Sequence, residues 1–134
     1  MTYRYMLDTN AVSDTIKNPT GRTAARLRDL PPDAACISIV TASELRFGAR
    51  KASSARLWQK ISDFVAFVPI LSLEHPVEEL YARIRTEVES VGRPIGPNDL
   101  FIAAHALALD LTLITANIRE FSRVSGLRVE NWLE

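Results

Sequence analysis

Apolar residues along this chain of 134 residues fall into two alternating spacings. Short apolar runs at 3–7, 36–39, 69–73 and 111–114 read as buried strands. Between them the spacing is helical. Residues 9–17 predict a helix stopped by Asn18 and Pro19. Residues 21–30 carry Ala24, Leu27 and Leu30 on one side and break at Pro31 and Pro32. Residues 41–51 place Leu45 and Ala49 on one face, and 54–68 carry the stripe Leu57, Ile61, Phe64, Val65 and Val68. Residues 75–91 repeat the pattern with Leu80, Ile84 and Val88 and end at Gly92. "GRPIGPND", residues 92–99, reads as a Gly/Pro loop, and "LFIAAHALALD" from Leu100 is apolar all round, so its helix belongs inside. The tail "LRVENW" offers a fifth strand at an edge. Strands alternating with helices predict an α/β domain spanning 1–134. Its mostly parallel sheet of about four to five strands would be covered on both faces.

That topology directs attention to one place. In open α/β sheets ligands sit beyond the carboxyl ends of the strands, and parallel strands all end on the same edge. The first strand is followed by Asp8, Thr9 and Asn10. The second runs out at Ser38 and Thr41, with Glu44 one turn later. The strand at 111–114 is followed by Thr115 and Asn117, and Asp99 sits where the Gly/Pro loop becomes the buried helix. Each residue alone has an ordinary role. Asp8 would cap a helix, Glu44 would face solvent, Asp99 would favour the first helical turn, and Asn117 would suit a turn. Together they converge. Carboxylates sharing a pocket repel until one takes a proton or a cation joins them. Mg²⁺ and Mn²⁺ prefer such oxygen ligands, and a cation so held suits phosphodiester hydrolysis by an activated water. Hydroxyls at Thr9, Ser38 and Thr115, with Asn10, would orient the carboxylates.

Composition narrows the class. Lys and Arg number 16 and so do Asp and Glu, so the overall field does not favour polyanions. Lysine occurs only at 17, 51 and 60, and arginine supplies every other base, which suits bidentate contact with phosphate or carboxylate. A single cysteine, Cys36, excludes an internal disulfide and a Cys-rich zinc site. No apolar run approaches the roughly 20 residues that span a bilayer. "MTYRYMLDTN" is too polar for a signal peptide, so the expected home is the cytoplasm.

The blocks "MLDTN", "SIVTASELRFGA", "IGPNDLFIAAHA" and "LITANIREFSRVSGLRVENW" resemble, in letters, order and spacing, a PIN-domain protein of the VapC toxin family. The resemblance runs from residue 5 to residue 132. It implies a PIN-like three-layer α/β/α fold and a Mg²⁺- or Mn²⁺-dependent endoribonuclease. It also implies the toxin of a type II toxin–antitoxin system, inhibited by a VapB-like antitoxin, with a homodimer and a higher toxin–antitoxin complex. Carried over by position, the catalytic residues are Asp8, Glu44, Asp99 and Asn117. Many PIN domains have Asp at the fourth position, and Asn117 brings no charge. One main cation is therefore expected, bound chiefly by Asp8 and Asp99, with Glu44 direct or through water. Two other readings stay open: a weakly catalytic module that binds nucleic acid or antitoxin, and a nuclease acting on DNA.

Arg119 and Arg123 stand four apart in "IREFSRV", on one side of an expected short helix, and Arg93 precedes Asp99; all three are candidates to meet RNA or antitoxin. His105, inside "IAAHALAL", is expected to be a hydrogen-bonded core histidine, and Cys36 a small core residue. No paired Ser/His or Cys/His nucleophile is expected.

Overall fold

The computed structural model describes residues 3–133, so the domain expected over 1–134 is seen without residues 1, 2 and 134. The chain runs β1 (Tyr5–Leu7), α1 (Thr9–Lys17), α2 (Arg22–Arg28), β2 (Ala35–Ser38), α3 (Ile39–Lys51) and α4 (Ala55–Val65). It continues through β3 (Ile70–Leu71), α5 (Val77–Ser90), α6 (Pro97–Ala108), β4 (Thr112–Ile114), α7 (Ile118–Phe121) and β5 (Val129–Glu130). The strands form one sheet in the order β3-β2-β1-β4-β5. Every neighbouring pair is parallel. β1 lies at the centre, and its end at Leu7 is in register with Ile114 at the end of β4. The fifth strand of the tail is indeed an edge strand, beside β4.

Alternation along these short strands makes two cores. Met6, Cys36 and Leu113 face one way, against Ile84 and Val88 of α5 and Leu100, Ala103 and Ala104 of α6. Leu7, Ile37 and Ile114 face the other way, against Ala11 and Val12 of α1, Leu45 and Ala49 of α3 and Ile61 of α4, with Trp132 closing that side. The result is the three-layer arrangement. α6 is buried along Leu100, Ile102, Ala103, Ala104, His105 and Ala106, as its all-round apolar sequence requires. Its alanines let the helix approach the sheet closely, while each fully buried Leu or Ile contributes about 1.5–3 kcal/mol.

Boundaries differ from the sequence reading where a cap decides them. β2 ends at Ser38, not 39, because the Ser38 side chain accepts from the Val40 N–H at 3.1 Å and starts α3 at Ile39. α6 begins at Pro97, inside the expected loop, because a proline in the first turn needs no N–H partner and follows the N-cap Gly96. α7 is a single turn, Ile118–Phe121, so Arg123 lies beyond it and does not share a helical face with Arg119.

Candidate active site

Asp8 leaves β1 with extended backbone (φ −77°, ψ 175°) and caps α1. Its Oδ1 accepts from the Ala11 N–H at 2.8 Å, and its Oδ2 accepts from the Thr115 hydroxyl. The capping role and a site role therefore coexist, since two bonds leave about half of a carboxylate's lone pairs free. The residue is 3 % exposed. Burial raises its pKa, and the negative Glu44 adds to that; bonds from Thr115 and the Ala11 and Asn10 backbone pull the other way. Thr115 is part of a relay: the Asn117 N–H donates to Thr115 Oγ1 at 2.9 Å, and Thr115 donates on to Asp8.

Glu44, in the second turn of α3, is half-buried. Its Oε1 accepts from the Thr9 hydroxyl, and its Oε2 accepts from Asn98 Nδ2 at 3.3 Å. Asp99 lies in the first turn of α6 and is also half-buried. Its pKa is pushed up to about 7, first by burial, then by the charge of Glu120 and a hydrogen bond with it, then by the charges of Glu44 and Asp8. Asp99 thus feels three other carboxylates at once.

One of those three, Glu120 of α7, was not among the residues that the sequence singled out. It belongs to the acidic group, and Asn117 holds it there: Asn117 Nδ2 donates to Glu120 Oε2 at 2.8 Å. The spacing from 117 to 120 puts both on one side of a helical turn, and that was the available signal. Asn117 brings no charge, and Glu120 supplies the missing one.

The remaining candidates divide. Thr9 and Thr115 bond carboxylates. Asn10 is exposed and reaches Asp8 only through its backbone. Ser38 bonds no carboxylate; its hydroxyl meets His105 Nδ1 at 2.9 Å. That is the separation of a nucleophile and its base, contrary to the expectation that no such pair exists. Ser38 is 0 % and His105 1 % exposed, so neither can reach a phosphodiester. Cys36 is buried with its thiol pushed up to about 12 by burial, which leaves it inert. Arg123 donates to the Pro94 carbonyl at 3.2 Å, bracing the loop before Asp99. Arg93 and Arg119 are exposed, and neither has a carboxylate partner among the described residues.

None of the four acids pairs with Lys or Arg among the described residues. The charges of Glu120, Glu44 and Asp8 push the pKa of Asp99 up, after burial, and the four side chains offer oxygen donors, the kind a hard cation prefers. A different group of potential ligands, His75, Glu78 and Glu79, is fully exposed at the start of α5. His75 and Glu78 meet at 2.7 Å there in an ordinary i,i+3 surface pair, and no residue of the acidic site takes part.

A family model for the PIN domain matches residues 5–127. The chain is 40% identical to the tRNA(fMet)-specific endonuclease VapC of Shigella flexneri over 130 residues, which is 96% of this chain and 98% of that one. It also superimposes on VapC chains in solved complexes. One is DNA-bound VapBC from Salmonella typhimurium, with a TM-score of 0.91, 35% identity and coverage of 98% of this chain and 99% of that chain. Another is VapBC2 from Rickettsia felis bound to a fragment of its promoter, with a TM-score of 0.90, 35% identity and coverage of 96% and 98%.

Proposed function

We propose, from the premise that this chain belongs to the PIN-domain family of VapC ribonucleases, that Asp8, Glu44, Asp99 and Glu120 form its active site. Membership makes the chain an RNA-cleaving hydrolase and the toxin of a toxin–antitoxin pair. Enzymes of this family depend on a metal. The proposal concerns which ion, which residues, which RNA and which partner.

The observation that carries it is Asp99, held at a pKa of about 7 by burial and by acids from three other elements. Mg²⁺ or Mn²⁺ is the ion such donors prefer. Asp8 and Asp99 would hold it, with Glu44 direct or through water. Asn117 orients Glu120 by donating its amide N–H₂ to that carboxylate, and its Oδ1 would remain available to the ion or to a water on it. The chemistry a cation supplies when bound is acidification of a water and neutralisation of charge on the phosphate and leaving oxygen. The chain's own residues do the positioning. Thr115 and the Ala11 N–H fix both oxygens of Asp8, and Thr9 and Asn98 fix those of Glu44. Hydrolysis would be direct, by the activated water, and Ser38 and Cys36 are too buried to serve as nucleophiles.

The substrate proposed is transfer RNA of the kind named for the Shigella relative, with Arg93 and Arg119 as phosphate contacts. The partner proposed is a VapB-like antitoxin. A cleft of about 220 Å³ runs between α1, α3 and α4, with Thr9 and Glu44 at one end and Ile16, Leu45, Leu57 and Ile61 along it. It suits an amphipathic segment that ends at the acids. A homodimer is proposed through the exposed Ile39, Phe47, Ile70 and Leu73, which lie on α3, on β3 and just after it.

The test is cleavage of initiator tRNA and total RNA by antitoxin-free protein with Mg²⁺, Mn²⁺ or EDTA. Cutting is expected with either ion and none in EDTA. Tight RNA binding without cutting, in folded metal-loaded protein, would instead make the chain a binding module. Glu120→Gln keeps the hydrogen bond from Asn117 but removes the charge. It is expected to weaken Mn²⁺ binding and cleavage about tenfold. Unchanged values would remove Glu120 from the site.

A further inference from the structure

Ser38 and His105 are two fully buried polar side chains that the reaction does not use. Leu at 105 would fill that space with no hydrogen bond of its own, and the Ser38 hydroxyl already has a partner in the Val40 N–H that it caps. Polar groups there carry a desolvation cost that their own bond only offsets, with a net value of about 1 kcal/mol. Core filling does not explain them, and their position in the fold offers another role.

Ser38 caps α3, and Glu44 follows on the same helix. His105 lies in α6, whose first turn carries Asp99. The two helices are tied at two places. Asn98 of α6 donates to Glu44 of α3 at 3.3 Å, and Ser38 at the start of α3 meets His105 of α6 at 2.9 Å. The pairs 44 with 98 and 38 with 105 make the helices antiparallel, with the two ties roughly 9 Å apart along α3 at 1.5 Å per residue. His105 is also bound to the Ser72 backbone just after β3. With that carbonyl accepting from one ring N–H, Nδ1 accepts from the Ser38 hydroxyl, whose oxygen accepts from the Val40 N–H. Ser38 Oγ and His105 Nδ1 are thus each hydrogen-bonded.

We propose that Ser38 and His105 are a positioning pair that sets α3 against α6, and thereby the spacing of Glu44 and Asp99 that a shared cation requires. The idea rests on the reading of the acidic site given above. Glu44 and Asp99 project from different helices, so their separation is only as well defined as the helix pair. The Asn98 bond is long and at an exposed edge. The buried bond is the stiffer of the two ties.

The experiment is Mn²⁺ binding by calorimetry and by the Mn²⁺ electron-spin signal, with melting temperature recorded beside it. The proteins are wild type, Ser38→Ala, His105→Leu, the double variant, His105→Gln and Asp8→Asn. Ser38→Ala and His105→Leu are each expected to weaken Mn²⁺ about tenfold. The double variant should be no weaker than the worse single, because both remove one tie. His105→Gln, whose amide both accepts and donates, should bind within about twofold of wild type. Wild-type Mn²⁺ affinity in a folded His105→Leu protein, with or without a lower melting temperature, would reduce the pair to packing. Should that variant not fold, Ser38→Ala decides alone in the same way. If Asp8→Asn binds Mn²⁺ like wild type, the acidic site itself is misassigned and the positioning role falls with it.

Discussion

Asp8→Asn is expected to fold and to lose RNA cleavage by on the order of 10²–10³-fold, the scale on which a single group stabilising transition-state charge acts. The two halves of that result come from different oxygens' worth of work. As a cap, Asn is as good as Asp, so the bond from the Ala11 N–H at 2.8 Å survives in the variant. Burial already penalises the ionised carboxylate, so removing its charge does not destabilise the cation-free protein. The melting temperature should stay within a few degrees, as the usual range for a retained cap allows. What disappears is the charge at the centre of the sheet edge, together with the Oδ2 that accepts from the Thr115 hydroxyl. Circular dichroism beside a cleavage assay checks both halves. A folded Asp8→Asn protein that cuts at the wild-type rate would contradict the assignment.

Asp99→Asn separates stability from activity. In the cation-free protein the folded pKa of about 7 lies above the reference value of 3.8. The folded state therefore holds more protons than the unfolded one across that interval. Stability contributed by this group is complete below about 3.8 and is lost as pH rises through about 7. In EDTA the wild type should melt at progressively lower temperature from pH 4 to 8, and Asp99→Asn should flatten that slope. At pH 8 the variant is expected to be the more stable protein. Saturating Mn²⁺ should reverse the order, since a ligand that binds only the folded state stabilises it. Cleavage by the variant should fall about 10²-fold. A pH-independent melting temperature for cation-free wild type would show that Asp99 titrates normally and that the acids do not crowd it.

Asp8, Glu44 and Asp99 were legible in the sequence for a topological reason. Each follows a strand end or opens a helix beyond one, and an all-parallel sheet sends those points to one edge. Glu120 was harder. It lies past the fourth strand in a four-residue helix, with arginine beside it, and its spacing from Asn117 alone does not say whether it faces the site or solvent. Ser38 shows the reverse. A hydroxyl at a strand end looks like an aid to a carboxylate, yet its partner is a histidine 67 positions away, and only packing of α6 on α3 brings them together. Boundaries slipped where a cap outweighed composition, as at Gly96 and Pro97, where residues typical of a loop begin a helix. The all-round apolar α6 and its buried histidine were plain from the sequence because no other placement hides that many apolar residues.

The most direct single measurement is single-turnover cleavage of one tRNA substrate as a function of Mn²⁺, with the bound ion counted in the same samples. The account predicts that cleavage rises in step with occupancy of one site per chain, stops when EDTA removes the ion, and is absent in folded Asp8→Asn. Cleavage that persists in EDTA, or that is independent of ion occupancy, would contradict it.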